Sequence, residues 1–435
     1  MLLYLRENFQ FITICLVWVI LGIIFSPIAL FLIPISFLVF YKKNFEVEIF
    51  LSFILILTLS DSRYYGLIWA GQIKNILIIL LSLVVLKKYQ QIDNKINFHL
   101  FIIPFIVIAS FCLIKSPDII TGSQKTLSYF LLFFIVPNYF SYLYQNYGVE
   151  LIQKTIWFIT TLLVIGFIIR FINPNFVILA DRYKSILGNP NGLGIYTFLF
   201  FCFFNISNEI FKDLFNTKQR SFIYCIILIS LLLCGARSSI IAVGIFLIFR
   251  YFNKLSPFLS FLLLIIFIIS YEYVNLNFES IIINLGLEKY FRIDTLKNGS
   301  GRLVAWEFAW KNIEYNFFLG RGFSYTEYLY KLNFSMLSKL GHQGAAHNAY
   351  LTLWLDTGLI GLTAFLFGLI GIVIKISKMS KSVFPLLFAV IFSNQFESWL
   401  TASLNPFTII FLMCLSLIYV VNIVESNLKT NTISI

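Results

Sequence analysis

Charge is what this chain has least of. Only 12% of its 435 residues are Asp, Glu, Lys or Arg, about half the roughly 25% typical of a soluble domain. Hydrophobic residues make up 59%, with mean hydropathy +0.88. That balance excludes a soluble globular protein and points to a polytopic helical membrane protein. Histidine is nearly missing: His99, His342 and His347 are the whole set. No third His, Cys or carboxylate stands at zinc spacing beside His342 and His347, so no metal centre is expected. Cys15, Cys112, Cys202, Cys225, Cys234 and Cys414 fall in apolar runs without disulfide-like spacing, and they read as small core or lipid-facing residues. No cleavable leader is expected either, because the first apolar run is long and lacks a small-residue cleavage site. The net charge of +12 comes from Lys and Arg scattered in short loops. Such scatter excludes a nucleic-acid surface and reads as a topological bias.

What is present is one apolar run after another. Residues 9–41 are too long for one span and a little short for two, and they read as two spans broken at Ser26-Pro27. Further spans are expected at 47–59, 66–86, 100–114, 127–143, 156–171, 192–204, 221–234, 239–251 and 257–269. After a long polar interruption come 349–374, 383–396 and 406–421. The fold class expected is therefore all-α, a transmembrane bundle of about 12–14 spans. With a cytoplasmic N-terminus, one face collects most of the loop Lys and Arg, among them Lys42, Lys87, Lys154, Arg220 and Lys375. By the positive-inside rule that face is cytoplasmic, and the long interruption at 275–348 lies outside. Span parity then brings four polar features to the outer face: the loop at Arg182, the turn at Arg237, the long loop, and Glu397.

A long ordered loop in a compact membrane protein tends to be functional. In this one, Ser300 is placed to cap a helix reaching about Tyr315, with Leu303, Trp306, Trp310 and Ile313 at helical spacing. A second amphipathic stretch, 325–340, carries Leu329, Leu332, Met336 and Leu340. It suits the membrane surface or the cover of a pocket.

The chemistry-bearing residues are few. Arg182 precedes Gly188-Asn189-Pro190-Asn191-Gly192-Leu193-Gly194. That string reads either as an ordinary turn or as a backbone bend offering N–H groups to an anion. Arg237, in Cys234-Gly235-Ala236-Arg237-Ser238, either snorkels to the headgroups or faces the bundle interior as a functional charge. Arg302 follows Gly299-Ser300-Gly301 and is either a solvated loop arginine or an anion ligand at a helix start. His347, next to Asn348 where the loop re-enters the apolar region, suits a general base held at the interface. Three arginines and one histidine fit one kind of chemistry. Guanidinium groups hold a multiply charged phosphate, while the imidazole takes a proton from a hydroxyl. A pyrophosphate leaving group needs no general acid.

Taken in order, these residues resemble a known family. Arg182 with Gly188-Asn189-Pro190-Asn191-Gly192, Ala236-Arg237-Ser238, Ser300-Gly301-Arg302 with Trp306, Gly320-Arg321-Gly322, and His347-Asn348-Ala349-Tyr350-Leu351 with Gly358 and Gly361 follow the pattern of the O-antigen ligase and polymerase superfamily of bacterial membrane glycosyltransferases. The resemblance implies a multi-pass protein of the bacterial inner membrane with its active site on the periplasmic side. It implies a donor glycan on undecaprenyl pyrophosphate, and an acceptor hydroxyl on a glycan or a lipid A core. Membrane lipids would be the surrounding partners, with no nucleic acid, cofactor or metal. By position, His347 is the base, Arg237, Arg302 and Arg182 bind pyrophosphate, and Asn348 and Glu397 support them. The chain then divides into N-terminal spans (1–172), a ligase- or polymerase-like catalytic segment (173–361), and C-terminal spans (362–435). Ligase and polymerase stand open as alternatives. A polysaccharide-lipid flippase is the reading from a different class, although it expects charges near mid-span and in paired halves.

Overall fold

The structure, a computed structural model, describes residues 1–256, 302–342, 344–402 and 404–433, with short pieces between 258 and 284. The expected cap at Ser300 and part of the expected span 257–269 lie outside the described residues. The first helices are α1 (Leu2–Glu7), α2 (Phe9–Ile24), α3 (Ser26–Lys42), α4 (Glu46–Ser60), α5 (Ile68–Lys88) and α6 (Phe98–Cys112). Then come α7 (Ile119–Tyr147), α8 (Val149–Ile172), α9 (Pro174–Val177), α10 (Pro190–Ile210), α11 (Thr217–Cys234) and α12 (Arg237–Leu255). The last are α13 (Arg302–Tyr315), α14 (Tyr325–Leu332), α15 (Phe334–Lys339), α16 (Ala349–Ser377), α17 (Val383–Phe396) and α18 (Pro406–Ile433). Every expected span other than 257–269 falls on one of these helices. Nine of the described helices are long and apolar enough to cross a membrane, and α2, α3 and α17 are shorter apolar helices.

The chain forms two compact units. The first comprises Met1–Leu100, Ser128–Val243 and Ser403–Ile435. Its centre is α4, α10 and α18, in which nearly every residue is buried: Val47 to Leu59, Leu193 to Ser207, and Phe407 to Val421. A helix apolar on all sides has no polar face to give to solvent and goes to the middle of a bundle. Between α9 and α10 the chain makes a short antiparallel hairpin, β1 (Ile178–Leu179) with β2 (Arg182–Tyr183). Its central residues Ala180 and Asp181 both have positive φ, 49° and 59°, as a tight two-residue hairpin turn requires.

The second unit comprises Phe101–Leu127 and Gly244–Ala402. Its organising element is α16, whose helical course is interrupted at Gly358 (φ 71°, ψ 179°), a conformation open essentially to glycine alone. The interruption is filled by residues 317–322. Arg321 and Gly322 donate N–H to the carbonyls of Leu355 and Asp356 at 3.3 and 2.7 Å, while Leu359 and Ile360 donate to Phe317 and Phe318 at 2.9 and 3.3 Å. The packing leaves no room for side chains. A Cβ on Gly358 would lie 2.2 Å from the Phe318 carbonyl oxygen, and one on Gly320 would lie 2.3 Å from that of Asp356. The Asp356 carboxylate, 2% exposed, accepts from Ser324 N, Thr326 N and Thr326 Oγ1 at 3.3, 2.8 and 2.7 Å. It thereby caps the first turn of α14.

Of the residues at helical spacing in α13, Ile313 is buried and Trp306 packs against the same core, while Leu303 and Trp310 are 54% and 43% exposed; Ala305 and Ala309 complete the buried face. The small alanines let α14 approach closely enough for Tyr330 Oη to donate to the Ala305 carbonyl at 2.6 Å. The amphipathic stretch 325–340 forms two short helices that meet at Asn333. Leu329 is buried, while Leu332, Met336 and Leu340 are exposed.

Gly358→Ala is expected to lower stability by about 1–3 kcal/mol from its backbone conformation alone, with the clash against Phe318 added. Gly244→Ala in α12, where a Cβ meets nothing within 4 Å, is expected to be neutral or stabilising by up to about 1 kcal/mol. Thermal unfolding of the detergent-solubilised protein checks both.

Candidate active site

The second unit brings four of the sequence-selected residues together. His347 precedes α16 with φ +47°, a left-handed conformation unusual for a residue with a side chain and frequent where function fixes the backbone. Asn348 is the N-cap of α16: its Oδ1 accepts from the N–H groups of Tyr350 and Leu351 at 2.9 and 3.1 Å. Asn348 therefore fixes His347 through the helix start. On the other side, the Trp306 indole of α13 donates to the Ala346 carbonyl at 3.0 Å. The histidine is thus held between two backbone anchors.

Glu397 reaches the same place from the C-terminal end of α17. The ends of α16 and α17 are tied by Tyr350 Oη donating to the Ile391 carbonyl at 2.8 Å and by Thr352 Oγ1 with Ser398 Oγ at 3.1 Å. Beyond α17 the chain is turned by Leu400 N donating to Asn394 Oδ1 and Trp399 Nε1 to Ser393 Oγ, both at 3.1 Å. Glu397 then bridges two partners. Its Oε2 lies 3.1 Å from His347 Nδ1, and its Oε1 accepts from Arg302 Nη2 at 3.2 Å. In the neutral imidazole, a carboxylate at Nδ1 selects the tautomer with its proton there, and that tautomer has its lone pair on Nε2. A Cβ on Gly344 would lie 3.2 Å from that Nε2, so the glycine keeps the free side of the ring open. The side chains of His347, Arg302 and Glu397 are 32%, 24% and 13% exposed, accessible to a substrate yet partly shielded from water. The arginine also lies over the Phe396 ring, 5.7 Å from its centroid.

The remaining two arginines belong to the first unit. Arg182, on β2, donates from Nε to the Cys234 carbonyl at 2.8 Å and from Nη2 to Asn191 Oδ1 at 3.0 Å. It ties the Gly188–Gly194 stretch to the turn between α11 and α12. That turn is made by Gly235 in a left-handed conformation (φ +57°), and Arg237 opens α12 directly after it. Arg237 is exposed. Gly194 packs against this turn, where a Cβ would meet that of Ala236 at 2.5 Å. Asn189 caps α10 by accepting from Gly192 N at 2.7 Å.

One residue of this frame was not singled out from the sequence. Asp61 follows α4, and its Oδ2 accepts from Gly188 N at 2.9 Å. A Cβ on Gly188 would lie 2.2 Å from the Asp61 carbonyl oxygen. The signal available was a single carboxylate at the end of an apolar run, beside Arg63. Nothing in its spacing ties it to a loop more than a hundred residues away.

Residues 221–366 match the family model described as O-Antigen ligase. That segment belongs to the O-antigen ligase superfamily. With its apolar helices, the chain is a multi-pass membrane protein carrying an O-antigen ligase segment over about a third of its length. The O-antigen ligase segment contains Arg237, Arg302, His347 and Asn348, while Arg182, Asp61 and Glu397 lie outside it. No curated protein matches the chain.

The two bonds of Arg182 diverge from different nitrogens, a geometry that one lysine ammonium cannot reproduce. Arg182→Lys is expected to cost about 1–3 kcal/mol of stability. Asn191→Ala should add little in that background, since the two share one interaction. A double-mutant cycle on the melting temperature measures the coupling, and full additivity would separate the pair.

Proposed function

We propose that the chain is a glycosyltransferase of the O-antigen ligase type. It moves a glycan from undecaprenyl pyrophosphate to an acceptor hydroxyl at the outer face of the bacterial inner membrane, with inversion at the anomeric carbon and without a metal or nucleotide sugar. The observation that carries the reading is the Glu397 carboxylate bridging His347 Nδ1 and Arg302.

The steps follow from that arrangement. The acceptor hydroxyl attacks the anomeric carbon and gives its proton to His347 Nε2. The bond from the anomeric carbon to the phosphate oxygen breaks, and the electron pair leaves on the pyrophosphate. Glu397 holds the imidazole in the tautomer that exposes Nε2 and stabilises the imidazolium once it forms. Arg302, fixed by the same carboxylate, has further guanidinium donors for developing negative charge on the leaving group. Phosphate recognition is also assigned to Arg237, which is exposed at the start of α12, and to Arg182. Two donors of Arg182 brace the turn before Arg237.

The test uses purified full-length protein in lipid with an undecaprenyl-pyrophosphate glycan and acceptor, free of metal and nucleotide. Release of the lipid pyrophosphate is expected to fall about 10²–10⁴-fold in His347→Ala, the range of a lost general base. Glu397→Gln should lower kcat and raise KM, because it disturbs the tautomer of His347 and loosens Arg302, which the same carboxylate fixes. A single capped product indicates a ligase and a ladder of lengths a polymerase. Absence of release by wild type with any acceptor, together with movement of the lipid-linked glycan across the bilayer, overturns the reading in favour of a flippase.

A further inference from the structure

The first unit contains a groove that neither the sequence motifs nor the proposed chemistry uses. It is a cavity of about 380 Å³, within the roughly 300–1,000 Å³ of ordinary ligand sites. One wall is α2, through Ile12, Leu16, Val19 and Ile23. The facing wall is α8, through Phe158, Leu162, Ile165 and Ile169. Both sets have the same spacing of four, three and four residues, so each is a single stripe along one helix face. Leu55 and Leu59 of α4 form the floor. Leu16 and Ile23 remain 49% and 43% exposed, which leaves the groove open along α2.

The dimensions and the charge select the occupant. Each stripe covers eleven residue steps, or about 16 Å at 1.5 Å per residue. That is close to half the roughly 30 Å hydrocarbon core of a bilayer, the depth of one acyl chain in one leaflet. A polyisoprenoid longer than a leaflet would leave much of its chain outside. One end of the groove is rimmed by Tyr64, Asn173 and Phe176. Beside it stand Arg63, which is exposed, and the buried Lys184, whose Nζ lies 5.4 Å from the Phe176 ring centroid. Asp61 is the carboxylate within the electrostatic reach of both, and of Lys74 as well, so this group of four carries two net positive charges.

We propose that the groove is a binding site for one acyl chain of an anionic phospholipid, its headgroup phosphate lying at Arg63. Vesicles of phosphatidylcholine containing the wild-type chain are doped with either phosphatidylglycerol or phosphatidylcholine bearing a photoactivatable acyl chain. Labelled peptides are then mapped. Label is expected in peptides from α2 and α8, about fivefold more from the anionic lipid, the preference that one basic residue gives at a membrane surface. Leu162→Trp, which fills the groove, should lower label in these two helices several-fold and leave other lipid-facing helices unchanged. Arg63→Ala should erase the headgroup preference while chain labelling persists. Equal label on all lipid-facing helices of the wild type would overturn the proposal without reference to any variant. So would stronger competition by a polyprenyl phosphate than by phosphatidylglycerol.

Discussion

The second unit depends on a break in a membrane helix and on what repairs it. Interrupting α16 at Gly358 takes away the helix's own partners for the carbonyls of Leu355 and Asp356 and for the N–H groups of Leu359 and Ile360. In a hydrocarbon setting each such group left bare costs several kcal/mol. Residues 317–322 supply all four partners, and the Cys112 thiol lies 3.8 Å from the Thr357 carbonyl. The repair also brings Asp356 to the start of α14. The extramembranous helices are therefore fastened to the half of α16 that begins at Asn348, and the position of His347 follows from it.

A second dependence is electrostatic. A histidine and an arginine near each other repel once the imidazole is protonated, and neither side chain has a fixed direction by itself. Glu397 meets both needs with one carboxylate, using one oxygen for each partner. It is itself only 13% exposed, so its interactions are screened less by solvent than those of surface pairs. The bond between Trp306 and the Ala346 carbonyl holds the same point from a third helix.

Much of this was legible in the residues and some was not. The apolar runs are long, so α2 to α8, α10 to α12 and α16 to α18 fall where hydropathy puts them. His347, Asn348 and Arg302 were selected by their place between glycine-rich turns and an apolar run, and Glu397 by span parity alone. The partnership of Gly320-Arg321-Gly322 with Gly358 was not legible, because it is made of backbone hydrogen bonds that leave no trace in side-chain pattern beyond the glycines. Ala305 and Ala309 of the buried face of α13 went unremarked, because close helix approach selects small residues that a stripe of large apolar ones does not reveal. The β1–β2 hairpin escaped because Ala180-Asp181 is a weak turn signal beside Asn-Gly. Asp61 escaped because its partner, Gly188, is distant in sequence.

The placement of Glu397 has a consequence for modularity. The family match ends at residue 366, and the carboxylate that orients the histidine arrives from a helix beyond it. A fragment cut at the edge of the matched segment keeps the imidazole and discards the group that gives it a direction. In this chain the matched segment and the hydrogen-bonded cluster of Arg302, His347 and Glu397 have different ends.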